Sequence, residues 1–168
     1  GALFDVQTDN RWIEPVAPAA VIINQGVFRR SVGYDLARCG VRTVNHGILE
    51  GRTGTLEFNG SFTNTNGTIA LAGGSVTLVE PLVLASGQLT GWGTLNADVI
   101  NATCVRPARS NGVLTIKGEY EQLLGGCLEF ELAGNIPGTN QSRLNINGAA
   151  TLRGTVGVRW EEGYVPSP

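Results

Sequence analysis

Between Gly87 and Gly134 the chain reads GQLTGWGTLNADVINATCVRPARSNGVLTIKGEYEQLLGGCLEFELAG, short apolar and polar alternations broken every few residues by Gly or Asn. Period-two runs bounded by such residues predict β-strands joined by turns. Leu89, Leu95, Val99, Val105, Leu114, Ile116, Tyr120, Leu128, Phe130 and Leu132 fall in runs too short for helices. No run of this size buries its apolar face alone, so the strands must stack on one another.

The same grammar extends upstream, where Gly26, Gly47, Gly67 and Gly87 follow one another at 21, 20 and 20 residues. Asn24, Asn45 and Asn66 stand one or two residues before the first three. Between these marks the alternation predicts strands at 19–23, 27–32, 41–44, 48–50, 55–58, 62–64, 68–71, 76–78 and 82–84. A fixed period in the range of about 20 to 50 residues indicates a solenoid, and one near 20 suits a turn of a parallel β-helix with three short strands per rung. We therefore expect an all-β, right-handed parallel β-helix of about 20 residues per rung and roughly seven or eight rungs. In such a stack asparagine amides bond to their counterparts one rung above and below, so Asn24, Asn45 and either Asn64 or Asn66 should line one edge, with Asn66 favoured by its place before Gly67.

Residues 1–168 read as a single domain in three parts. Residues 1–18 make an irregular first rung, with a strand at Leu3 to Val6 and with Pro15 and Pro18 against a central paired strand. Residues 19–134 carry the regular rungs, and 135–168 hold a loop at 135–142 and strands at 143–146, 150–153 and 155–160. GYDLARCG, Gly33 to Gly40, and the segment Asn101 to Arg109 interrupt the rhythm and are expected to bulge outward as loops. Insertions in solenoids often build binding surfaces.

Composition narrows this picture. Glycine, 24 of 168 residues, has no collagen-like period, so we assign it to corners. Charged residues make up 15% and the net charge is −2, with one Lys and the Arg scattered, which gives no electrostatic basis for nucleic acid or an anionic membrane. No apolar run approaches a membrane helix. Because the sequence opens at Gly1 and contains no Met, we expect a piece of a longer chain whose neighbours continue the rungs.

The runs G-x-L-x-G-x-G-T-L (Gly87 to Leu95), V-x-N (Val99 to Asn101), V-x-P (Val105 to Pro107), G-x-L-T-I-x-G-x-Y-x-Q (Gly112 to Gln122) and G-G-x-L-x-F-E-L-A-G (Gly125 to Gly134) resemble the repeats of autotransporter-type passenger domains. P-G-T at Pro137, L-N-I-N-G-x-A-x-L-x-G from Leu144 and G-Y-V-P from Gly163 extend the likeness, although Ser142 stands where relatives often carry an acid. The resemblance implies a secreted or surface-exposed stalk, display or adhesin segment of a bacterial protein, extracellular and without catalysis. Its implied partners are further rungs or domains of the parent chain, with glycans or host cell-surface molecules as contacts. End-to-end self-association through strand edges is a further expectation.

The alternative is a carbohydrate-active module, a glycan-binding solenoid or a pectate-lyase-like enzyme. Only Asp5, Asp9, Asp35 and Asp98 are available as aspartates, none in a D-D or D-x-D pair. Asp5 and Asp9 could share a cation or simply occupy a solvated turn. His46, the one histidine, lies in an N-x-G corner without the acid pairs a hydrolase needs. Glu119, Glu121, Glu129 and Glu131 flank Tyr120 and Phe130 in E-Y-E and E-F-E, which directs the acids outward and the rings inward. Trp12, Trp92 and Trp160 are either sugar platforms or core fillers, with Trp92, between two glycines, the first candidate for ligand contact. Thr63, Thr65, Ser75 and Thr77 suggest an ice-binding array, but no T-x-T ladder repeats. We expect no catalytic residue, no cofactor and no metal.

Three cysteines leave one over in any pairing. Cys104 and Cys127 are 23 residues apart, close to one repeat, which would stack them about 4.8 Å apart and within disulfide reach. A bridge there would point to an oxidising compartment; buried thiols are the other reading.

Overall fold

The computed structural model describes residues 1–108, 112–136, 139–161 and 164. Arg109, Pro137 and Gly138 of the P-G-T turn, and the G-Y-V-P motif apart from Tyr164, lie outside the described residues. So do the last four residues of the terminal segment.

Every regular element among the described residues is a strand, and the chain climbs through successive three-strand rungs. β1 (Leu3–Val6), β2 (Trp12–Ile13) and β3 (Val21–Asn24) are followed by β4 (Val27–Arg30), β5 (Leu36–Cys39) and β6 (Arg42–Asn45). Then come β7 (Ile48–Gly51), β8 (Thr55–Phe58) and β9 (Phe62–Asn64). β10 (Thr68–Leu78) bends across two faces before β11 (Leu82–Leu84), and β12 (Gln88–Asn96) does the same before β13 (Val99–Asn101). The last full rungs are β14 (Cys104–Pro107), β15 (Leu114–Ile116) and β16 (Tyr120–Gln122), then β17 (Cys127–Leu132), β18 (Leu144–Ile146) and β19 (Ala150–Leu152), and β20 (Thr155–Trp160) opens the next.

Among the described residues all pairings between these strands are parallel, and they define three faces. The first runs β1-β4-β7-β10-β12-β14-β17-β20. The second takes β2, β5 and β8, the far halves of β10 and β12, then β15 and β18. The third is formed by β3-β6-β9 and β11-β13-β16-β19. The result is a parallel β-solenoid of roughly 21 residues per turn, as the glycine spacing predicts.

The stack forms because alternate side chains meet their equivalents one rung away. On the first face Phe28, Leu49, Ile69, Leu89, Val105 and Leu128 follow one another in register, each nearly or wholly buried. The second face contributes Ala37, Leu56, Val76, Leu95 and Ile116 in the same manner. Register alignment of this kind keeps one apolar column continuous through the rungs, the main source of solenoid stability.

Two sequence expectations are corrected. Gly33 to Gly40 is not an outward bulge throughout, since β5 occupies half of it and directs Ala37 and Cys39 into the core. Only the segment before Leu36 is a corner, and the flanking glycines together with the small size of Ala37 and Cys39 hide the strand. Nor is Asn101 to Arg109 a loop throughout, because Cys104–Pro107 is a first-face strand with Val105 fully buried. Pro107 is tolerated because it closes the strand, where no further ladder bond is required of its nitrogen.

The corner glycines hold their places for two different reasons. Of the four spaced glycines only Gly87 takes a positive φ, 77°. At Gly26, Gly47 and Gly67 the constraint is close approach. A Cβ at Gly47 would strike the Gly26 carbonyl oxygen, and one at Gly26 would strike that of Ala2.

Candidate functional site

Two of the three corners differ sharply in what they carry. Where the third face turns back into the first, the corner is tight and its polar groups point inward. Asn24 Nδ2 donates to Asn45 Oδ1 at 2.7 Å, and Asn45 Nδ2 donates to Asn64 Oδ1 at 2.7 Å. Asn64 Nδ2 in turn donates to the Gly67 carbonyl at 2.9 Å. The ladder therefore comprises Asn24, Asn45 and Asn64, and Asn66 is not in it. Asn64 lies two residues after the partly buried Phe62 on the inward side of β9, whereas Asn66 is an exposed turn residue with φ 58°.

Leu84 breaks the polar column, which resumes higher up. Asn101 Nδ2 donates to the Tyr120 hydroxyl at 2.9 Å, and that hydroxyl donates to Gln122 Oε1 at 3.1 Å. Gln122 Nε2 then donates to the carbonyls of Arg153 and Thr155. Burial pushes the Tyr120 phenol up to about 12, against the opposing hydrogen bond from Asn101. Each member bonds backbone or a neighbouring rung, so this corner is a clasp between rungs.

Longer connections leave from two corners. Between the second face and the third, residues 14–20 join β2 to β3 and carry the fully exposed Val16. Between the first face and the second they join β1 to β2 and β4 to β5, whereas β10 and β12 run through that corner unbroken at Gly73 and Gly91. Arg30, fully buried, anchors the lower part. Its guanidinium donates to the carbonyls of Thr8 (2.8 Å) and Asp35 (3.0 Å) and pairs with the Asp9 carboxylate. Asp9 also accepts from the backbone N–H of Asp35, the leading reason its carboxyl lies below the ordinary value. The upper loop is fixed by Ser142, whose hydroxyl donates to the Pro107 carbonyl at 2.8 Å and accepts from the Glu131 N–H at 3.0 Å.

Trp92 sits on this corner, opposite Ala72 in the register and half-buried. A Cβ on Gly73 would meet one edge of its indole and a Cβ on Gly112 the other, so the ring is wedged between two glycines rather than held out as a platform. Trp12 and Trp160 are the more exposed indoles, at 45% and 56%. The Arg38 guanidinium lies over the Trp12 ring at 5.2 Å, and Trp160 lies beside Tyr164. Trp92→Ala should thus act on stability. A fully buried Trp→Ala change costs roughly 3–5 kcal/mol, and about 2 kcal/mol is expected for a half-buried one. Denaturant midpoints read this, and a loss of glycan affinity with unchanged stability would reverse the assignment.

The remaining candidates resolve into inter-rung contacts. Cys104 and Cys127 are register partners on β14 and β17 and form a disulfide, with Cα atoms 4.6 Å apart. Glu129 lies close to both sulfurs, but these are spent in the bond and cannot act as thiolate ligands. Cys39 is a free, buried thiol, pushed up by burial and 3.8 Å from the Val41 carbonyl. Asp5 and Asp9 are engaged by different partners. Asp5 accepts from Arg29, Ser31 and Gln7, and these bonds together outweigh burial and leave its carboxyl below the ordinary value. Glu129 is lowered chiefly by Arg106, at 2.6 Å, with Arg159 adding to it. Tyr120 is buried between Glu119 and Glu121 as the alternation requires. His46 is exposed, its Nδ1 3.1 Å from the Thr65 carbonyl oxygen. Thr55, Ser75, Thr94 and Thr115 do stack in one outward column on the second face, a row invisible to a search for T-x-T. The neighbouring column, Glu57, Thr77 and Asn96, is mixed.

These lowered carboxyls fix a pH response. Folding favours their ionised forms, so the unfolded chain takes up protons first as pH falls. The stabilisation is complete above the unfolded carboxylate range and is lost on acidification through the lower folded values. Thermal midpoints should stay level from neutral pH to about 5 and drop below about pH 4. Tyr120 works in the other direction: its raised value holds stability below the ordinary phenol range, which is lost above about pH 10. A midpoint insensitive to acid would contradict the ion-pair assignments.

Sequence reasoning missed the Arg30–Asp9 pair, the Asn101–Tyr120–Gln122 chain and the role of Ser142. Only the first had a local signal, since alternation in Arg29-Arg30 puts one of the two inside. No family model, curated protein or solved structure matches the chain.

Proposed function

We propose that this chain is a non-catalytic structural and adhesive segment of a secreted or cell-surface protein, a stiff solenoid that presents loops at its corners for surface contact. The observation that carries this reading is the division of labour between corners. The Asn and Gly corner locks rung to rung, while the longer connections leave from the other two corners, one of them held by Arg30, Trp92 and Ser142. Loops on one side of a repeat stack are the usual place for contact surfaces. The inter-rung disulfide supports an extracellular setting. The titratable groups with displaced values are engaged with neighbouring residues, which supports a scaffold over a reaction centre.

The test presents the chain to immobilised glycans and to cell surfaces, and in parallel incubates it with a polysaccharide panel. Binding that is lost when the 133–143 loop is shortened, without release of reducing ends or unsaturated products, is the expected result. Product release would make the chain an enzyme scaffold and overturn the reading.

A further inference from the structure

We infer that the third face is a self-docking surface, on which two copies of this chain pack face to face and antiparallel as a two-fold dimer. The alternation that turns Asn24, Asn45 and Asn64 inward turns Ile23, Val44 and Thr63 outward, in register from β3 to β6 to β9. Val83 takes the same outward place on β11, which lies beside β9, and is in register with Ile100 on β13. Ile23, Thr63 and Val83 are exposed, and Val44 and Ile100 are half-buried. Five successive rungs thus present a β-branched residue at the middle of this face, and Glu121, next in register, ends the run. The first face, by contrast, commits its outward side largely to ion pairs.

The occupant is a second copy because the column is its own complement. Ile, Val, Thr, Val, Ile reads the same in both directions. A two-fold axis along the strands at Thr63 therefore sets Ile23 on Ile100, Val44 on Val83 and Thr63 on Thr63, the isologous pattern of a closed dimer. The charged edge obeys the same operation. Arg42, two residues before Val44 on the same outward side, is exposed and forms no ion pair among the described residues. The axis places it against Pro81 of the other copy, between Glu80 and Asp98, which are exposed and likewise form no ion pair among the described residues. Each dimer makes this contact twice, and at the opposite edge His46 meets Ala85. Parallel copies would instead set Arg42 beside His46 and turn Glu80 and Asp98 toward Ala85 and Ala102, which charge matching disfavours. Four steps of about 4.8 Å along strands of three or four residues give a patch of roughly 20 by 10 Å, a few hundred Å² per copy. This is below the roughly 800 Å² per partner of a stable complex, so the dimer is a weak one that forms at high concentration.

The experiment is sedimentation velocity on the full chain up to about 1 mM, with circular dichroism confirming the β content of each variant. Wild type should pass from monomer to dimer and stop there. Val83→Lys, at an exposed position, should remain a monomer across the range. Arg42→Glu should weaken association about tenfold, and adding Glu80→Arg to it should restore association, which a merely destabilised face would not do. Orientation is read by oxidative cross-linking of added cysteines, since Cys39 is buried and Cys104 and Cys127 are bonded to each other. Ile23→Cys and Ile100→Cys should link to each other when mixed, and neither should link to itself. A wild-type monomer throughout overturns the proposal, whether the Ile23→Cys thiol is open to maleimide or covered by another part of the chain. So do growth past the dimer, association untouched by Val83→Lys, and self-linking of Ile23→Cys.

Discussion

Removing the Cys104–Cys127 bond is expected to lower stability by about 3 kcal/mol, from the chain entropy of a closed loop of this size. The bond lies where the stack is least regular. From β12 to β14 the register advances from Gln88 to Cys104, and from β14 to β17 it advances from Cys104 to Cys127, a short step followed by a long one. Between β14 and β17 only Cys104 and Val105 have register partners, whereas four residues pair at the junction below. The disulfide and the Arg106–Glu129 pair therefore supplement a short ladder at this point. Urea unfolding of the oxidised protein and of a Cys104→Ser, Cys127→Ser double variant measures the difference. The loss should fall on the part above β14, seen as earlier hydrogen exchange of the β17 and β20 amides while those of β12 stay protected. Equal stability of the two forms would show that the irregular junction does not need the bond.

Asn45→Ala should cost roughly 2–4 kcal/mol, although it removes only a few atoms. Asn45 accepts from Asn24 and donates to Asn64, and all three are buried. Asn24 retains its bond to the Ile48 carbonyl, but the Asn64 Oδ1 acceptor loses its side-chain donor inside the stack. Leaving one buried polar atom unsatisfied costs about 1–3 kcal/mol beyond the bonds lost. The contrast is Asn66→Gly, where an exposed residue already has positive φ, and a change within about 0.5 kcal/mol is expected. Chemical denaturation of both variants checks the pair. Equal effects would mean that the ladder carries no more than an ordinary corner does.

This contrast also marks how far the sequence could be read. Gly26, Gly47, Gly67 and Gly87 announce the rung length because each corner must pass close to the corner below, and that need recurs at the period itself. Cys104 and Cys127 were legible for the same reason, as two residues nearly one repeat apart. Asn64 and Asn66 were not separable by spacing, since both lie near one period after Asn45. Strand parity decides between them, and parity counts from Phe62 rather than from the glycine. Arg30 was hidden for a different reason: its partner Asp9 lies on the rung below, at a distance in sequence set by an irregular first turn. The surroundings of Trp92 were not legible, because Gly91 and Gly93 beside it leave room for the ring to project or to pack, and the residues its indole meets, Gly73 and Gly112, lie about one rung away in sequence. Function was less legible still, because a solenoid spreads its contacts evenly and no cluster of reactive groups interrupts the pattern in the sequence.

Inward polar groups and paired charges lock the rungs into one stiff body, and native-state hydrogen exchange decides whether they do. The slowest amides should form a continuous block from β7 to β16, including those flanking Asn45, Asn64 and Asn101, with protection declining toward β1 and β20. Fast exchange across β12, or around the Asn ladder while neighbouring strands stay protected, would contradict it, because those rungs would then open on their own.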